Sequence, residues 1–285
     1  MPENGEEKKM KKFLVLIVFA MIIIFALSCG NEKKSSGYEL ALITDVGTID
    51  DRSFNQGSWE GLKKYAEEKS ITHKYYQPTE KTTDAYIDSI DLAVAAGAKI
   101  VVTPGFLFEP AIYKAQDIHP EVNFVLLDGS PQDGNYQDFR IEKNVYSVFY
   151  AEEEAGFLAG YGAVKEGYTN LGFMGGMAVP AVVKFGYGFV QGVNYAAKEF
   201  GIKNVKVDYN YIGGFNPSPE TQTKAASWYR NGVQVIFVAG GGAGNSVMSA
   251  AEQNNGYVIG VDVDQSSESP TVITSAMKMI GESVY

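Results

Sequence analysis

The hydrophobic positions of this chain form short continuous runs that alternate with longer periodic segments. Residues 99–103 (KIVVT), 123–128 (NFVLLD) and 235–239 (VIFVA) have the length and the β-branched content of buried strands. Between such runs, apolar residues recur at three and four positions, as one buried face of a helix requires. Strands and helices therefore alternate roughly every 20–30 residues, which predicts an α/β protein with parallel sheets.

The same patterns give bounds for the other elements. Further strands are predicted to end at Asp45 and to span 170–174, 205–211, 258–262 and 271–275. Helices are predicted to begin at Ser53 and to span 83–96, 109–117, 151–165, 180–200, 219–231 and 244–254. The polar stretch 129–140 is expected to cross between two lobes, and the strand at 271–275 is expected to return to the first lobe. The expected lobes are 38–138 with 266–285, and 139–265.

The stretch 42–62 (LITDVGTIDDRSFNQGSWEGL) carries the strongest local signal. Its strand ends in a carboxylate, and Ser53 with Gln56 fits a capping box at the start of the next helix. Ligands of open α/β sheets bind at the carboxyl ends of the strands. The residues expected around a pocket are therefore Asp45, Ser53, Phe54 and Asn55. The alternative interpretation is an ordinary strand–loop–helix unit with a buried phenylalanine.

Other predicted strands also end in residues suited to a binding site. Phe106 and Asp128 follow the next two strands of the first half. The second half repeats this arrangement with strand ends that carry glycine, phenylalanine and aspartate, namely Gly175–Gly176, Gly213–Phe215, Gly240–Gly242 and Asp262. Two lobes of this kind that face each other form a cleft.

The N-terminus has the pattern of a targeting segment. A basic stretch with four lysines precedes the apolar run 13–27, which is too short for a comfortable membrane span. The following residues, ALSCG, resemble a bacterial lipobox, in which the signal is cut before Cys29 and the cysteine is acylated by fatty acids such as palmitate. We therefore expect a signal peptide at 1–28, a lipidated tether at 29–37, and a location at the cell membrane on the extracytoplasmic face. An uncleaved membrane anchor and a plain secretory signal are the alternatives.

Composition excludes several classes of function. The net charge of −10 argues against a nucleic-acid surface, which needs clustered Lys and Arg. With one cysteine, no disulfide can form within the chain. His73 and His119 are the two histidines and lie away from predicted strand ends, and no GxSxG nucleophile motif is present, so an enzyme is not expected.

Metal and phosphate sites are alternative interpretations of two acidic stretches and one glycine-rich stretch. Asp50–Asp51 and the pair Asp262 and Asp264 are possible metal carboxylates, although loop and cap acids are the simpler interpretation. The GGGAG stretch at 240–244 lacks the Lys-Ser/Thr end of a phosphate-binding P-loop. We expect no metal and no cofactor.

Several sequence blocks stand in order between residues 38 and 285: TDVGTIDDRSFNQGSWEGL, TPGFLF, AEEEAGFLAGY, GFMGGM, KFGYGF, AGGGAGN and GVDVDQ followed by TSAMK. Taken together, these blocks resemble the basic membrane protein family of lipoproteins, which includes purine-nucleoside-binding components of ABC importers. The resemblance implies a type I periplasmic-binding-protein fold, with two doubly wound lobes around a ligand cleft. It also implies a purine nucleoside ligand and an ABC transporter permease as partners. Family members continue for some tens of residues beyond Tyr285, so the resemblance further implies a truncated C-terminus.

A nucleoside needs aromatic rings for its base and hydrogen-bond acceptors for its ribose hydroxyls. Phe54 and Phe215 are the expected base sandwich, with Phe185 as a weaker candidate that its helix could simply bury. Asp262, helped by Lys278, is expected to bind the ribose. The full set expected at the ligand is Asp45, Ser53, Phe54, Asn55, Phe106, Asp128, Phe185, Phe215, Gly240, Gly241, Asp262 and Lys278. A sugar-binding protein or sensor of the same fold, or a surface adhesin, is the alternative function.

Overall fold

Two parallel five-stranded sheets form the framework of the protein. A computed structural model of the chain describes residues 38–45 and 47–285. The expected signal peptide, tether and acylated Cys29 lie outside the described residues. The first sheet has the strand order β2-β1-β3-β4-β5 and the second has the order β10-β9-β8-β6-β7. All pairings between the strands are parallel.

The strands and helices follow the predicted alternation. The strands are β1 Leu40–Ile43, β2 His73–Tyr76, β3 Ile100–Pro104, β4 Asn123–Leu127, β5 Val145–Val148, β6 Asn170–Gly175, β7 Lys206–Tyr211, β8 Val235–Ala239, β9 Tyr257–Asp262 and β10 Val272–Met277. The helices are α1 Phe54–Lys69, α2 Thr83–Ala95, α3 Glu109–Ile118, α4 Glu152–Lys165, α5 Pro180–Glu199, α6 Pro219–Arg230, α7 Gly244–Asn254 and α8 Ile280–Val284. Within the described residues, no helix is both long enough and apolar enough to cross a membrane.

The two sheets share one topology. Read from β7, the second sheet runs β7-β6-β8-β9-β10, so each lobe has the doubly wound order 2-1-3-4-5 of its own strands. Each sheet is covered on both faces, because separate hydrophobic clusters lie above and below it. Residues 38–285 belong to one compact unit. The expected fold class, with two doubly wound lobes, is confirmed.

Two segments lie in a different sheet from the one that we expected. The strand predicted at 271–275 is β10, and it pairs with β9 in the second sheet instead of returning to the first lobe. Its apolar residues Val272 and Ala276 are buried in the clusters of the second sheet. Residues 145–148, which fall inside the expected second lobe, form β5 and pair with β4 in the first sheet. The chain therefore leaves the first sheet after β5, not within 129–140.

Glycines allow α4 and α5 to pack with their backbones in contact. A Cβ atom at Gly156 or Gly160 would lie 2.2 Å from a backbone oxygen of α5. A Cβ atom at Gly188 or Gly192 would lie 2.0 Å from a backbone oxygen of α4. This close packing holds the first turn of α4 against the second turn of α5, and these turns carry Glu152 and Phe185, which belong to the region described below.

Candidate functional site

A cavity of about 200 Å³ lies among the carboxyl ends of strands from both sheets. The residues expected at the ligand line this cavity, with one exception: they are Asp45, Phe54, Asn55, Phe106, Asp128, Phe185, Phe215, Gly240, Gly241, Asp262 and Lys278. The exception is Ser53, which is completely buried beside the cavity. The structure therefore brings together residues that are up to 233 positions apart in the sequence.

Two aspartates occupy equivalent places in the two lobes. Asp128 follows β4, and Asp262 ends β9, the fourth strand of its own sheet. Both adopt a left-handed backbone, with φ of 55° and 69°. Aspartate tolerates this region better than most residues, yet it remains an uncommon conformation that is often found at functional sites. The turn at each strand end brings both residues to the cavity wall.

A buried lysine connects these acids. Lys278 follows β10 and is almost fully buried. Its ammonium donates a hydrogen bond to Asp128 Oδ2 and lies 3.0 Å from Glu152 Oε1. Burial by itself lowers the pKa of Lys278, but the carboxylates of Asp128, Asp262 and Glu152 outweigh burial and raise it. The lysine is therefore a cation in the folded protein.

The acids keep acceptor oxygens for a ligand. Asp128 Oδ1 is buried and has no hydrogen-bond partner in the described structure. Burial raises the pKa of Asp128, although Lys278 opposes this effect. Asp262 Oδ2 accepts a hydrogen bond from Ser53 Oγ at 2.5 Å. Since a buried acceptor is costly when unpaired, Asp128 Oδ1 favours a ligand that carries a hydroxyl or amino donor.

The start of α1 is capped in a different way from the one that we predicted. Ser53 makes no side-chain hydrogen bond to the helix backbone, because its hydroxyl is used by Asp262. Asp51 caps the helix instead: its two oxygens accept hydrogen bonds from the backbone N–H groups of Ser53, Asn55 and Gln56 at 2.9–3.0 Å. Asn55 Nδ2 also donates to Asp51 Oδ2 and to Asp45 Oδ1, both at 2.9 Å. The predicted capping box is therefore wrong.

Replacing Asp51 by alanine is expected to lower the free energy of unfolding by about 1–2 kcal/mol, because three helix N–H groups lose their acceptor. The midpoint of denaturant unfolding measures this change. Asp50→Ala is the matched control, since Asp50 is exposed and the change should stay within about 0.5 kcal/mol. Equal midpoints for the two variants would contradict the capping role.

Four phenylalanines line the cavity. Phe54 lies at the first turn of α1, and its ring centroid is 5.0 Å from the ammonium of Lys278. Phe215 lies over Gly176, where a Cβ atom would come within 2.4 Å of its ring. Phe185 is almost fully buried and packs edge-on against Phe237 at 5.8 Å, so it belongs to the core as well as to the cavity wall. The burial of Phe185 is therefore confirmed, and its contact with a ligand stays a prediction.

Sequence reasoning missed several residues of the site. The unexpected lining residues are Gly47, Thr48, Asp50, Asp51, Gly105, Val179, Pro180, Ala181, Val182, Asn216, Pro217, Ala239, Asn245 and Val261. Asn245 ends the AGGGAGN block, so its position in the first turn of α7 was a usable signal. Glu152 also lies in a quoted block, AEEEAGFLAGY, but nothing local distinguishes it from Glu153 and Glu154, and it reaches the site from behind Lys278.

Two of the acids named as alternative metal ligands offer no free carboxylate to the cavity. Asp264 is exposed and does not line the cavity, and the carboxylate of Asp51 is occupied by the helix backbone. Among residues 38–45 and 47–285, no three His, Cys, Asp or Glu side chains group together as a metal site requires. His73 lies against Trp59, and His119 lies against Asp91.

Comparison with known proteins places the chain in a family. Residues 38–285 match the family described as ABC transporter substrate-binding protein PnrA-like. The chain belongs to this PnrA-like family. Its members are substrate-binding components of transporters, which implies a ligand and a permease partner for this PnrA-like protein.

Curated relatives extend over most of the PnrA-like chain. It is 32% identical to basic membrane protein A1 of Borrelia garinii over an alignment of 281 residues. That alignment covers 96% of this chain and 79% of the relative. It is 31% identical to the ABC transporter nucleoside-binding protein BmpA of Lactococcus lactis over an alignment of 272 residues. That alignment covers 87% of this chain and 73% of the relative.

A solved structure supports the fold. An ABC transporter solute-binding protein from Aeropyrum pernix superposes with a TM-score of 0.74 and is 26% identical. The superposition covers 86% of this PnrA-like chain and 68% of the other chain. The expected periplasmic-binding-protein fold is confirmed.

Proposed function

We propose that this protein captures purine nucleosides in the cavity between its two lobes and delivers them to the permease of an ABC importer. The observation that carries the proposal is the composition of the cavity. Aromatic side chains from both lobes, Phe54 and Phe215, line the same space as the strand-end carboxylates Asp128 and Asp262. An aromatic wall suits a flat base, and buried acceptors suit ribose hydroxyls.

The charge of the cavity favours a neutral ligand. Among the lining residues that the structure describes, Lys278 is the one Lys or Arg, and its ammonium is already paired with carboxylates. A phosphate group would need several free basic groups or backbone donors. A nucleoside is therefore preferred over a nucleotide. The nucleoside-binding relative from Lactococcus lactis, at 31% identity, supports the same ligand class.

The remaining parts of the proposal concern location and mechanism. A lipid on Cys29 would hold the protein on the extracytoplasmic face of the cell membrane. Contacts that the nucleoside makes with both lobes would favour the closed form, as a shift between two existing populations. The closed form would then be the one that the permease recognises.

Isothermal titration with inosine, guanosine, adenosine, cytidine and ribose tests the proposed ligand. We expect tight binding of at least one purine nucleoside and a weakening of about tenfold to 100-fold in Phe54→Ala. This range corresponds to the loss of one base-stacking contact of about 1–3 kcal/mol.

Phe157→Ala is the matched control for this titration. Phe157 is a half-buried aromatic residue of α4 that does not line the cavity, so its removal should leave the affinity unchanged. Binding of ribose alone would retain a solute-binding role and reject the nucleoside. Absence of binding by the folded protein to every compound would reject the proposed function.

A further inference from the structure

Glu152 is buried directly behind the cavity and does not line it. It is the first residue of α4, and its side chain is 2% exposed. Both of its oxygens are engaged by lysines: Oε1 lies 3.0 Å from Lys278 Nζ, and Oε2 lies 3.3 Å from Lys184 Nζ. A fully buried glutamate with two lysine partners is rare, and its position next to the cavity calls for an explanation.

Glu152 and Lys278 join the two segments that connect the lobes. Glu152 follows β5, the last strand of the first sheet, after a connection of three residues. Lys278 follows β10 in the second sheet and precedes α8, whose Ile280 is buried against strands of the first sheet. The contact between Glu152 and Lys278 therefore holds the two crossings together at one side of the cavity.

The surroundings of the ammonium show what Glu152 contributes. An ammonium has three N–H donors at the end of a flexible chain. Three rings surround it, those of Phe54, Tyr150 and Phe185, with centroids at 5.0–5.3 Å. Rings restrain such a group only weakly, so the charged partners determine its position. The ammonium of Lys278 contacts Glu152 Oε1 on one side and Asp128 Oδ2 on the other. Asp128 Oδ1 has no hydrogen-bond partner in the described structure.

We infer that Glu152 is a positioning residue for the ligand site: it holds the ammonium of Lys278 so that Asp128 Oδ1 stays free for a ligand hydroxyl. This inference rests on the proposed function for the identity of the ligand. Without the carboxylate of Glu152, the ammonium can move toward Asp128 Oδ1 and occupy the acceptor that a hydroxyl would use. Glu152 thus acts on the ligand through Lys278.

The charge of Glu152 gives a second, measurable consequence. The charged groups that face Lys278 are Asp128 after β4, Asp262 at the end of β9 and Glu152 on α4, and Lys184 of α5 pairs with Glu152 from outside. Burial is the largest cause that raises the pKa of Asp128, and the negative charge of Glu152 adds to it. Removing that charge should therefore lower the pKa of Asp128.

Glu152→Gln and Glu152→Asp test the inference, with Glu153→Gln as the matched control. Glu153 is the next residue of α4, is half exposed, and lies 4.0 Å from Lys184, so the control makes the same charge change outside the site. The first measurement is the pH titration of the carboxyl ¹³C signal of Asp128 in the ligand-free protein, assigned with Asp128→Asn. The second is calorimetric titration with inosine and guanosine.

We expect the Asp128 titration to move to lower pH in Glu152→Gln and to stay unchanged in Glu153→Gln. Nucleoside affinity should fall about tenfold in Glu152→Gln, as for one charge-assisted hydrogen bond. In Glu152→Asp the charge remains but its oxygens move back by one methylene, so affinity should fall while the titration stays near that of the wild type. In a Lys278→Met background, Glu152→Gln should cause no further loss of affinity.

A folded Glu152→Gln variant with wild-type affinity and an unchanged Asp128 titration would overturn the inference. If Glu152→Gln does not fold, wild-type affinity in Glu152→Asp would overturn it in the same way. A wild-type protein that binds no nucleoside would reject the proposed function. In that case an unchanged Asp128 titration in Glu152→Gln would still reject the role of Glu152, and a shifted one would support it.

Discussion

Replacement of Gly188 by alanine is expected to destabilise the protein by about 3 kcal/mol or more, because α4 and α5 are in backbone contact at this residue. A Cβ atom there would lie 2.0 Å from the carbonyl oxygen of Glu153 and 2.8 Å from its carbonyl carbon. A flexible side chain could move away from such a clash, but the backbone of a neighbouring helix cannot. The helices must separate, and the buried residues between them lose packing.

Gly162→Ala is the matched control for Gly188→Ala. Gly162 lies within α4, and a Cβ atom there would meet nothing within 4 Å. Alanine at that position should therefore stabilise the protein by about 0.5–1 kcal/mol, through its lower entropy in the unfolded chain. Denaturant unfolding followed by circular dichroism measures both changes. A Gly188→Ala variant that unfolds at the wild-type midpoint would contradict the backbone contact.

This packing also matters for the site. Glu152 begins α4, and Phe185 lies in the second turn of α5, so the distance between the two helices sets the distance between these side chains and Lys278. We expect variants that separate the helices to lose ligand affinity as well as stability. Affinity and stability should therefore fall together for the glycine contacts, but not for Asp262.

Replacement of Asp262 by asparagine is expected to weaken nucleoside binding by about 100-fold, which is the loss of roughly 2–3 kcal/mol from hydrogen bonds to a charged acceptor. The side chain keeps its size, and its amide oxygen can still accept from Ser53 Oγ. The variant should therefore fold. Isothermal titration with the best-bound purine nucleoside measures the loss of affinity.

The same substitution has a pH-dependent effect on stability. Burial raises the pKa of Asp262, although Lys278 and Ser53 oppose the change. A carboxyl group whose pKa is raised in the folded state stabilises the protein when the pH is below its unfolded-state pKa of about 4. This stabilisation is lost as the pH rises through the folded-state pKa. Asparagine cannot ionise, so this loss is absent. Relative to the wild type, Asp262→Asn should gain in unfolding temperature as the pH rises from 4 to 8.

Asp264→Asn separates this effect from a general change of charge. Asp264 is exposed, and the hydrogen bond from the backbone N–H of Ser266 lowers its pKa. Its replacement should leave nucleoside affinity unchanged and should not reproduce the gain in stability. Full affinity in Asp262→Asn would remove Asp262 from the ligand site.

The elements of the fold could be predicted because each is encoded by local chemistry. Apolar runs such as 235–239 form strands, and three- and four-residue spacing marks the helices. The strand-end residues Asp45, Asp128 and Asp262 were found by one general rule, that parallel strands present their carboxyl ends at one edge of a sheet. The sequence alone thus determined the fold class, most element bounds and the strand-end residues of the cavity, but fewer than half of its 26 lining residues.

Tertiary structure decided which strand joins which sheet and which acid has which partner. The apolar pattern of β10 predicts a strand but not the strand that it pairs with, because the same pattern would fit the edge of either sheet. Asp51 rather than Ser53 caps α1 because Asp262, 209 residues away, takes the serine hydroxyl. Glu152 reaches Lys278 only when two crossings between the lobes meet. These choices depend on contacts between distant segments, which local periodicity and spacing do not encode.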